Sequence, residues 1–268
     1  MRMAPAIELR DVTKRFATPS AGVYTALHDL DMRVEPGEFC AVVGPTGCGK
    51  STTLALISGL EPVSAGEVRV MGRPVSGVGD EIGYVFQTDA VFPWKSVLGN
   101  VAAGPRFQGM RGREARDRAR DWITRVGLSG FEDRYPHQLS GGMRKRVALA
   151  QSLINEPRIL LMDEPFSALD VQTRSLMEDE LLSLWSATSA SVVFVTHDLE
   201  EAIALADRVY VFTAAPGTVK GSYAVALPRP RNVSEIRFEP EFQRIYQEIW
   251  NDLRDEVQVS YERQKRAG

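Results

Sequence analysis

The chain is poor in cysteine. Its 268 residues hold two, Cys40 and Cys48, too few for a disulfide framework and in keeping with a reducing compartment. They are not expected to pair. Residues 40 to 43 read as a strand that carries Cys40 away from Cys48, beyond the roughly 7 Å that bonded Cα atoms allow. Long apolar runs are missing too. The longest, such as Phe39–Val43 and Val192–Val195, have strand length, whereas a spanning helix needs about 20 apolar residues. Any role at a membrane must then come through a partner. Met1 to Ala6 lacks the apolar core of a targeting segment. Neither sign of charge dominates: the net charge is -3, so no basic field points to nucleic acid. Internal repeats and low-complexity stretches are absent.

What is present is ordinary globular composition, 44% hydrophobic and 25% charged, which argues against disorder. At this length a folded chain buries most of its surface without staples. Ile7–Val12 and Asp31–Glu35 read as strands, the second closed by the Pro36-Gly37 turn. Phe39–Val43 is a buried strand, followed by a glycine-rich loop and a helix from Lys50 to about Ser58. Glu67–Val70 and Ile82–Phe86 are further strands. From about Ala90 to Asn155 the pattern turns helical, and Arg113–Val126 carries Arg and Asp along one solvated face. Ile159–Met162 is a continuous apolar strand of the parallel-sheet kind. A helix over Val171–Ala187, a strand over Ser191–Val195 and a helix from Asp198 follow. Arg208–Thr213 and Val219–Val225 close the sheet. Strands alternating with helices predict parallel βαβ units and an α/β fold. Glu239–Arg266 reads as an amphipathic helix, with Phe242, Ile245, Tyr246, Ile249, Trp250, Leu253 and Val257 at three- and four-residue steps. Such a stripe suits a core-facing surface or a partner.

Two stretches carry chemistry. Gly44-Pro45-Thr46-Gly47-Cys48-Gly49-Lys50-Ser51, with Thr52 behind it, matches G-x-x-x-x-G-K-[ST] between a strand and a helix. The glycines let the backbone curl until its N–H groups point at phosphate oxygens. Lys50 supplies a point charge to the β and γ phosphates, and Ser51 offers a hydroxyl to Mg²⁺. The helix from Lys50 adds its positive end. Cys48 is either a thiolate favoured by this anion nest or a small space-filler. The second stretch, Ile159-Leu-Leu-Met-Asp163-Glu164, is an apolar strand ending in two carboxylates. Asp163 can hold Mg²⁺ through a water, and Glu164 is placed to orient or deprotonate an attacking water. Catalysis would be mostly positioning and charge stabilisation of a transferred phosphoryl group.

Leu139-Ser140-Gly141-Gly142-Met143 resembles the signature of the ABC ATPase family, usually Leu-Ser-Gly-Gly-Gln, at the family's distance before the acidic strand. Gln87 resembles its Q-loop glutamine, Ser167-Ala168-Leu169-Asp170 its D-loop, and His197 its switch histidine. Phe16 sits where the family has an adenine-stacking aromatic, with Tyr24 as a rival. The resemblance covers nearly the whole chain. It implies a P-loop, RecA-like, mostly parallel sheet core with an N-terminal antiparallel β subdomain and an inserted α-helical subdomain at about 90–155. The ATPase domain would span 1–235, and 236–268 would be a C-terminal helical extension. The resemblance also implies ATP and Mg²⁺ as ligands and a head-to-tail homodimer. Lys50 and Ser51 of one copy would face Ser140 and Gly142 of the other across each γ-phosphate. Glu164, His197 and Gln87 would be the catalytic set, Ser51, Gln87 and Asp163 would serve the metal, and Asp170 would couple the two sites. Met143 departs from the usual glutamine and removes whatever polar contact that side chain makes.

Pro93-Trp94 soon after Gln87, the segment Ala215-Pro216-Gly217, the run Leu227-Pro228-Arg229-Pro230-Arg231 and the closing helix resemble the nitrate, sulfonate and taurine import class. That likeness implies two transmembrane permease subunits and, indirectly, a periplasmic solute-binding protein, with the chain peripheral on the cytoplasmic face of a bacterial inner membrane. Residues from about Thr88 to Val101 would meet the permease, Phe92 and Trp94 serving as apolar anchors. Alternatively, Trp94 packs inside the helical subdomain. An exporter or lipid-trafficking ATPase would use the same motor. A non-transport ABC ATPase would usually add a long coiled coil, zinc ligands or a second cassette. Other P-loop classes, such as small-molecule kinases and GTPases, lack the signature and the histidine.

Overall fold

The structure is a computed structural model that describes residues 4–18 and 22–267. Met1–Met3, within the first residues read above, and Gly268 of the expected extension lie outside the described residues. The chain forms two compact units, one of Met1–Gly79 with Ser191–Gly268, the other of Asp80–Ala190.

The first unit opens with β1 (Ile7–Ala17), β2 (Val23–Val34), β3 (Phe39–Val43), α1 (Lys50–Ser58), β4 (Ala65–Val70) and β5 (Arg73–Pro74). An antiparallel sheet runs in the order β2-β1-β4-β5. β1 and β2 are longer than the alternation predicts. Their pairing shifts register between Leu9 and Val12, Val12 and Lys14, and Lys14 and Arg15. Asp11 and Asp29 adopt left-handed backbone at φ 49 and 45. Each slip moves the following side chains to the opposite face, so the period-two signal fades although pairing continues.

The second unit holds β6 (Ile82–Val85), α2 (Val97–Val101), α3 (Ala103–Phe107), α4 (Gly112–Arg125), α5 (Gly141–Leu153), β7 (Ile159–Asp163) and α6 (Val171–Ser186). β6 and β7 pair in parallel, with Val85 opposite Met162. Around them Val101, Ala119, Trp122, Ile123, Val147 and Leu149 form a buried helical core. Residues 139 to 142 lead into this core, so the start of α5 is anchored by its own buried face.

The chain then returns to the first unit through β8 (Ser191–Val195), α7 (Leu199–Leu205), β9 (Arg208–Phe212), β10 (Val219–Ala224), α8 (Val233–Ile236) and α9 (Pro240–Ala267). Its second sheet runs β10-β9-β3-β8. The wholly buried β3 lies parallel to β8 on one side and β9 on the other, while β10 is antiparallel to β9. Three parallel strands thus end at one edge, where open α/β sheets bind ligands. α9 packs on α7, β9 and β10. Phe242, Ile245, Ile249 and Leu253 are buried, and Val257 at the end of the stripe is 43% exposed.

Candidate nucleotide site

β3 delivers Gly44 to the sheet edge and α1 starts at Lys50. The intervening loop must be glycine at defined places. Gly49 caps α1 in the left-handed region at φ 97, and a Cβ there would lie 2.5 Å from Leu27 Cδ2. A Cβ on Gly44 would lie 2.8 Å from Cys48 Sγ. No side-chain hydrogen bond caps the start of α1, so its first N–H groups are not served by a capping side chain. Lys50 is 7% exposed, and its ammonium donates to Gly44 O at 2.8 Å and Pro45 O at 3.1 Å. The loop's own carbonyls hold the charge, and a triphosphate offers stronger, charged acceptors. Pro45 is buried, Thr52 half-buried, and Thr46, Gly47 and Ser51 are exposed.

Cys48 is 1% exposed. Burial pushes its thiol up, with Lys50 pulling the other way. Of the two sequence readings, the geometry supports the space-filler. Phe16 and Tyr24 face each other across β1 and β2. The Lys14 ammonium sits 4.7 Å from the Phe16 ring centroid, while the Tyr24 hydroxyl donates to Gly47 O at 3.2 Å. Tyr24 is thus the aromatic tied to the loop. His197 follows β8 and is exposed. Asp198 beside it caps α7, accepting from Glu200 N at 2.9 Å and Glu201 N at 3.3 Å.

In the second unit β7 ends in Asp163 and Glu164, both half-buried. Glu164 has φ 44, a conformation that costs a non-glycine residue on the order of 1–3 kcal/mol and clusters at functional sites. Ser167 holds it there, donating to Glu164 O from its amide at 3.3 Å and its hydroxyl at 3.0 Å. The Gln87 amide nitrogen lies 3.4 Å from Glu164 Oε2, a long contact that fixes which end of the amide faces the carboxylate. Lys145, 4% exposed at its side chain, donates to Gln87 O at 2.7 Å and pairs with Asp89 at 3.0 Å. Arg144 meets the other Asp89 oxygen at 3.1 Å. This brace between the Gln87 loop and α5 escaped the sequence reading. Its signal is a lysine beside the buried run Val147–Ala150.

Ser140 caps α5, its hydroxyl accepting from Met143 N at 3.3 Å. Gly141 and Gly142 are half-buried, and a Cβ on Gly142 would approach Thr173 Cγ2 at 3.2 Å. Asp170 caps α6, accepting from Thr173 N at 3.0 Å, and that backbone hydrogen bond holds its carboxyl below the usual range. Among the described residues no group of three or more His, Cys, Asp or Glu could hold a metal alone. Hard oxygen donors are present in each unit taken by itself, the Ser51 hydroxyl in the first and the Gln87 amide oxygen and Asp163 carboxylate in the second. Few, hard oxygen ligands fit an ion that keeps its waters and binds chiefly through phosphate.

Comparisons with known proteins show the family of the chain. The family model described as ABC transporter matches residues 27–167. An ABC transporter ATP-binding protein of Methanocaldococcus jannaschii is 44% identical over 96% of this chain and 94% of its own. The nitrate import ATP-binding protein NrtD of a Synechocystis species is 42% identical, over 92% and 95%. The dimeric post-hydrolysis structure of an ATP-binding cassette bound to ADP and Pi superposes with a TM-score of 0.73 at 31% identity, over 83% of this chain and 100% of the other. With an α/β P-loop core and an antiparallel β sheet in the same unit, the chain belongs to the ABC transporter family, as one of its ATP-binding, ATP-hydrolysing subunits.

Proposed function

We propose that this chain is the motor of a bacterial importer for a small anion of the nitrate, sulfonate or taurine kind. Residues 1–235 form the ATPase domain, with a helical subdomain at about 90–155, and 236–268 form an extension. The observation that carries the nucleotide half is the buried Lys50 ammonium, curled into glycine-bounded backbone. The triphosphate displaces the loop carbonyls from Lys50, and the α1 N–H groups receive its oxygens. Mg²⁺, held by Ser51, Gln87 and Asp163, would neutralise charge on the phosphates. Glu164 accepts the proton of the attacking water. Gln87 orients that carboxylate, and His197 contacts the γ-phosphate. Ser140 and Gly142 of a second copy close the site head to tail, Asp170 couples the two sites, and Phe16 with Tyr24 flanks the base.

Two observations support the importer reading. The matching relatives include a nitrate import protein, and Trp94 is 71% exposed, against interior packing. Two permease subunits would receive that ring at the cytoplasmic face of the membrane, with a solute-binding protein acting indirectly and no nucleic acid involved. Among the described residues no helix is long and apolar enough to cross a membrane.

The test is Glu164→Gln. Hydrolysis is expected to fall at least about 100-fold, the range for losing a general base, while Mg-ATP is still bound and now holds a stable dimer on size exclusion. Wild-type turnover would remove the base assignment. A monomer in the presence of Mg-ATP and the permease subunits would remove the sandwich.

A further inference from the structure

The amphipathic helix α9 has no part in the ATPase chemistry, yet its polar side reaches the phosphate loop through one turn. Glu256 is its key residue. The carboxylate is 15% exposed and accepts from Ala214 N at 2.8 Å. Its other oxygen pairs with Lys220 Nζ at 3.0 Å, and Lys220 also donates to Asp252 O at 3.1 Å. Arg263, about two turns further along α9, donates to Ala215 O. The helix therefore grips residues 214 and 215 at the start of the turn that joins β9 to β10.

That turn is stiff and ends against the phosphate loop. Thr213 N donates to Thr218 O at 3.0 Å, and Thr218 N donates to Thr213 Oγ1 at 3.1 Å. Between them Gly217 docks edge-on to β2: its N–H donates to Ala26 O at 2.9 Å, and its carbonyl accepts from His28 N at 3.0 Å. A Cβ on Gly217 would come within 1.9 Å of Cys48 O, so the turn touches the nucleotide loop backbone to backbone. Gly49 packs on the same strand, against Ala26 O and Leu27. The negative charge of Glu256 is felt at the Cys48 thiol, which it helps to push up.

We propose that Glu256 is a positioning residue for ATP binding: from α9 it fixes the 213–218 turn, and the turn fixes the backbone of the phosphate loop at Cys48 and Gly49. The chemistry selects this effect. The loop acts through several N–H groups that must converge on phosphate oxygens, and convergence held in advance lowers the ordering cost on binding. Glu256 touches neither the reacting phosphate nor the water. Its loss is a loss of ground-state and transition-state binding alike, which raises KM and leaves kcat in place. The inference rests on residues 44–52 being the ATP site.

The experiment uses the full chain and compares Glu256→Met, which keeps length and removes the acceptor, with Glu256→Gln, which keeps an acceptor for Ala214 N. Steady-state hydrolysis and a fluorescent-ATP titration give KM, kcat and affinity. Glu256→Met is expected to raise KM about fivefold or more, ~1 kcal/mol of lost positioning, with kcat within about twofold. Glu256→Gln is expected to restore most of the affinity. Unchanged KM in Glu256→Met, equal losses in both variants, or a fall in kcat without a change in KM would each overturn the proposal. If Glu256→Met does not fold, Lys220→Met takes its place. It frees the second carboxylate oxygen from outside the helix, and its KM must rise. Lys50→Ala separates the two readings. Wild-type ATP binding by that variant would sink the nucleotide site itself, whereas lost binding there with normal binding in Glu256→Met sinks the brace alone.

Discussion

Cys48 shows how a single side chain inside an anion nest is decided by competing terms. The nest and Lys50 favour the thiolate, but a residue 1% exposed loses more from desolvation, and its thiol is held up. Maleimide labelling of Cys48 in the folded chain is therefore expected to run at least about tenfold slower than in the denatured chain. Once attached, the adduct must abolish hydrolysis, because a Cβ on Gly44 would already lie 2.8 Å from Sγ. Rapid labelling with activity intact would contradict both statements. Met143 is the opposite case. Its backbone N–H, not its thioether, donates to Ser140 Oγ, so the cap survives any side chain. Met143→Gln should keep turnover within about tenfold, or roughly 1.4 kcal/mol, in a steady-state ATPase assay.

At the scale of elements, the least expected feature is the buried arginine that ties a linker to a helix end. Arg231, 1% exposed at its side chain, donates from Nη1 to Ile203 O, Ala204 O and Ala206 O at 3.3, 3.1 and 2.7 Å. Nη2 reaches Leu227 O at 3.1 Å. Burial, then the neighbouring Arg229, brings its pKa down to about 10, so it stays charged at neutral pH and complements the negative end of α7. Arg231→Met should cost about 3 kcal/mol, because carbonyls are left without donors in a dry site. A denaturant midpoint measures it, and a loss under about 1 kcal/mol would mean that water replaces the guanidinium. In the sequence this arginine is only the last residue of the run Leu227–Arg231 that resembles the import class, and nothing in that run announces burial. α1 and β8, by contrast, match the sequence reading to the residue, because phosphate chemistry demands glycine and lysine at set places and a wholly buried strand is apolar over nearly its whole length, here Val192–Val195. The far halves of β1 and β2 were hidden by bulges, and the tie from Tyr24 to Gly47 depends on that hidden pairing. The brace of Asp89 and Lys145 was hidden because it joins residues far apart in the chain.

For the whole molecule, the proposed importer role asks how a chain without a spanning helix among its described residues would pass force to a membrane partner. The loop before α2 has the form such a contact needs. Asn100 is fully buried, and its amide nitrogen donates to Phe92 O, Lys95 O and Ser96 O at 3.1, 3.0 and 3.1 Å. Its amide oxygen accepts from Phe92 N at 2.7 Å. One side chain thereby sets the loop, and Trp94, 71% exposed, meets Phe92 ring to ring at a centroid distance of 5.6 Å. A preorganised loop presenting a large exposed aromatic loses little entropy when it docks, and such anchors carry ~2 kcal/mol or more of an interface. Inside the free subunit the same ring contributes only about 0.5–1.5 kcal/mol through Phe92. Trp94→Ala should then leave melting temperature and basal hydrolysis of the isolated chain nearly unchanged, while transport by the assembled complex falls at least about tenfold, the counterpart of 1.4 kcal/mol. Proteoliposomes assayed for solute uptake and ATP turnover together make the distinction. A variant that transports normally, or one whose isolated subunit melts early, would move Trp94 from the coupling surface back into the architecture of its own unit.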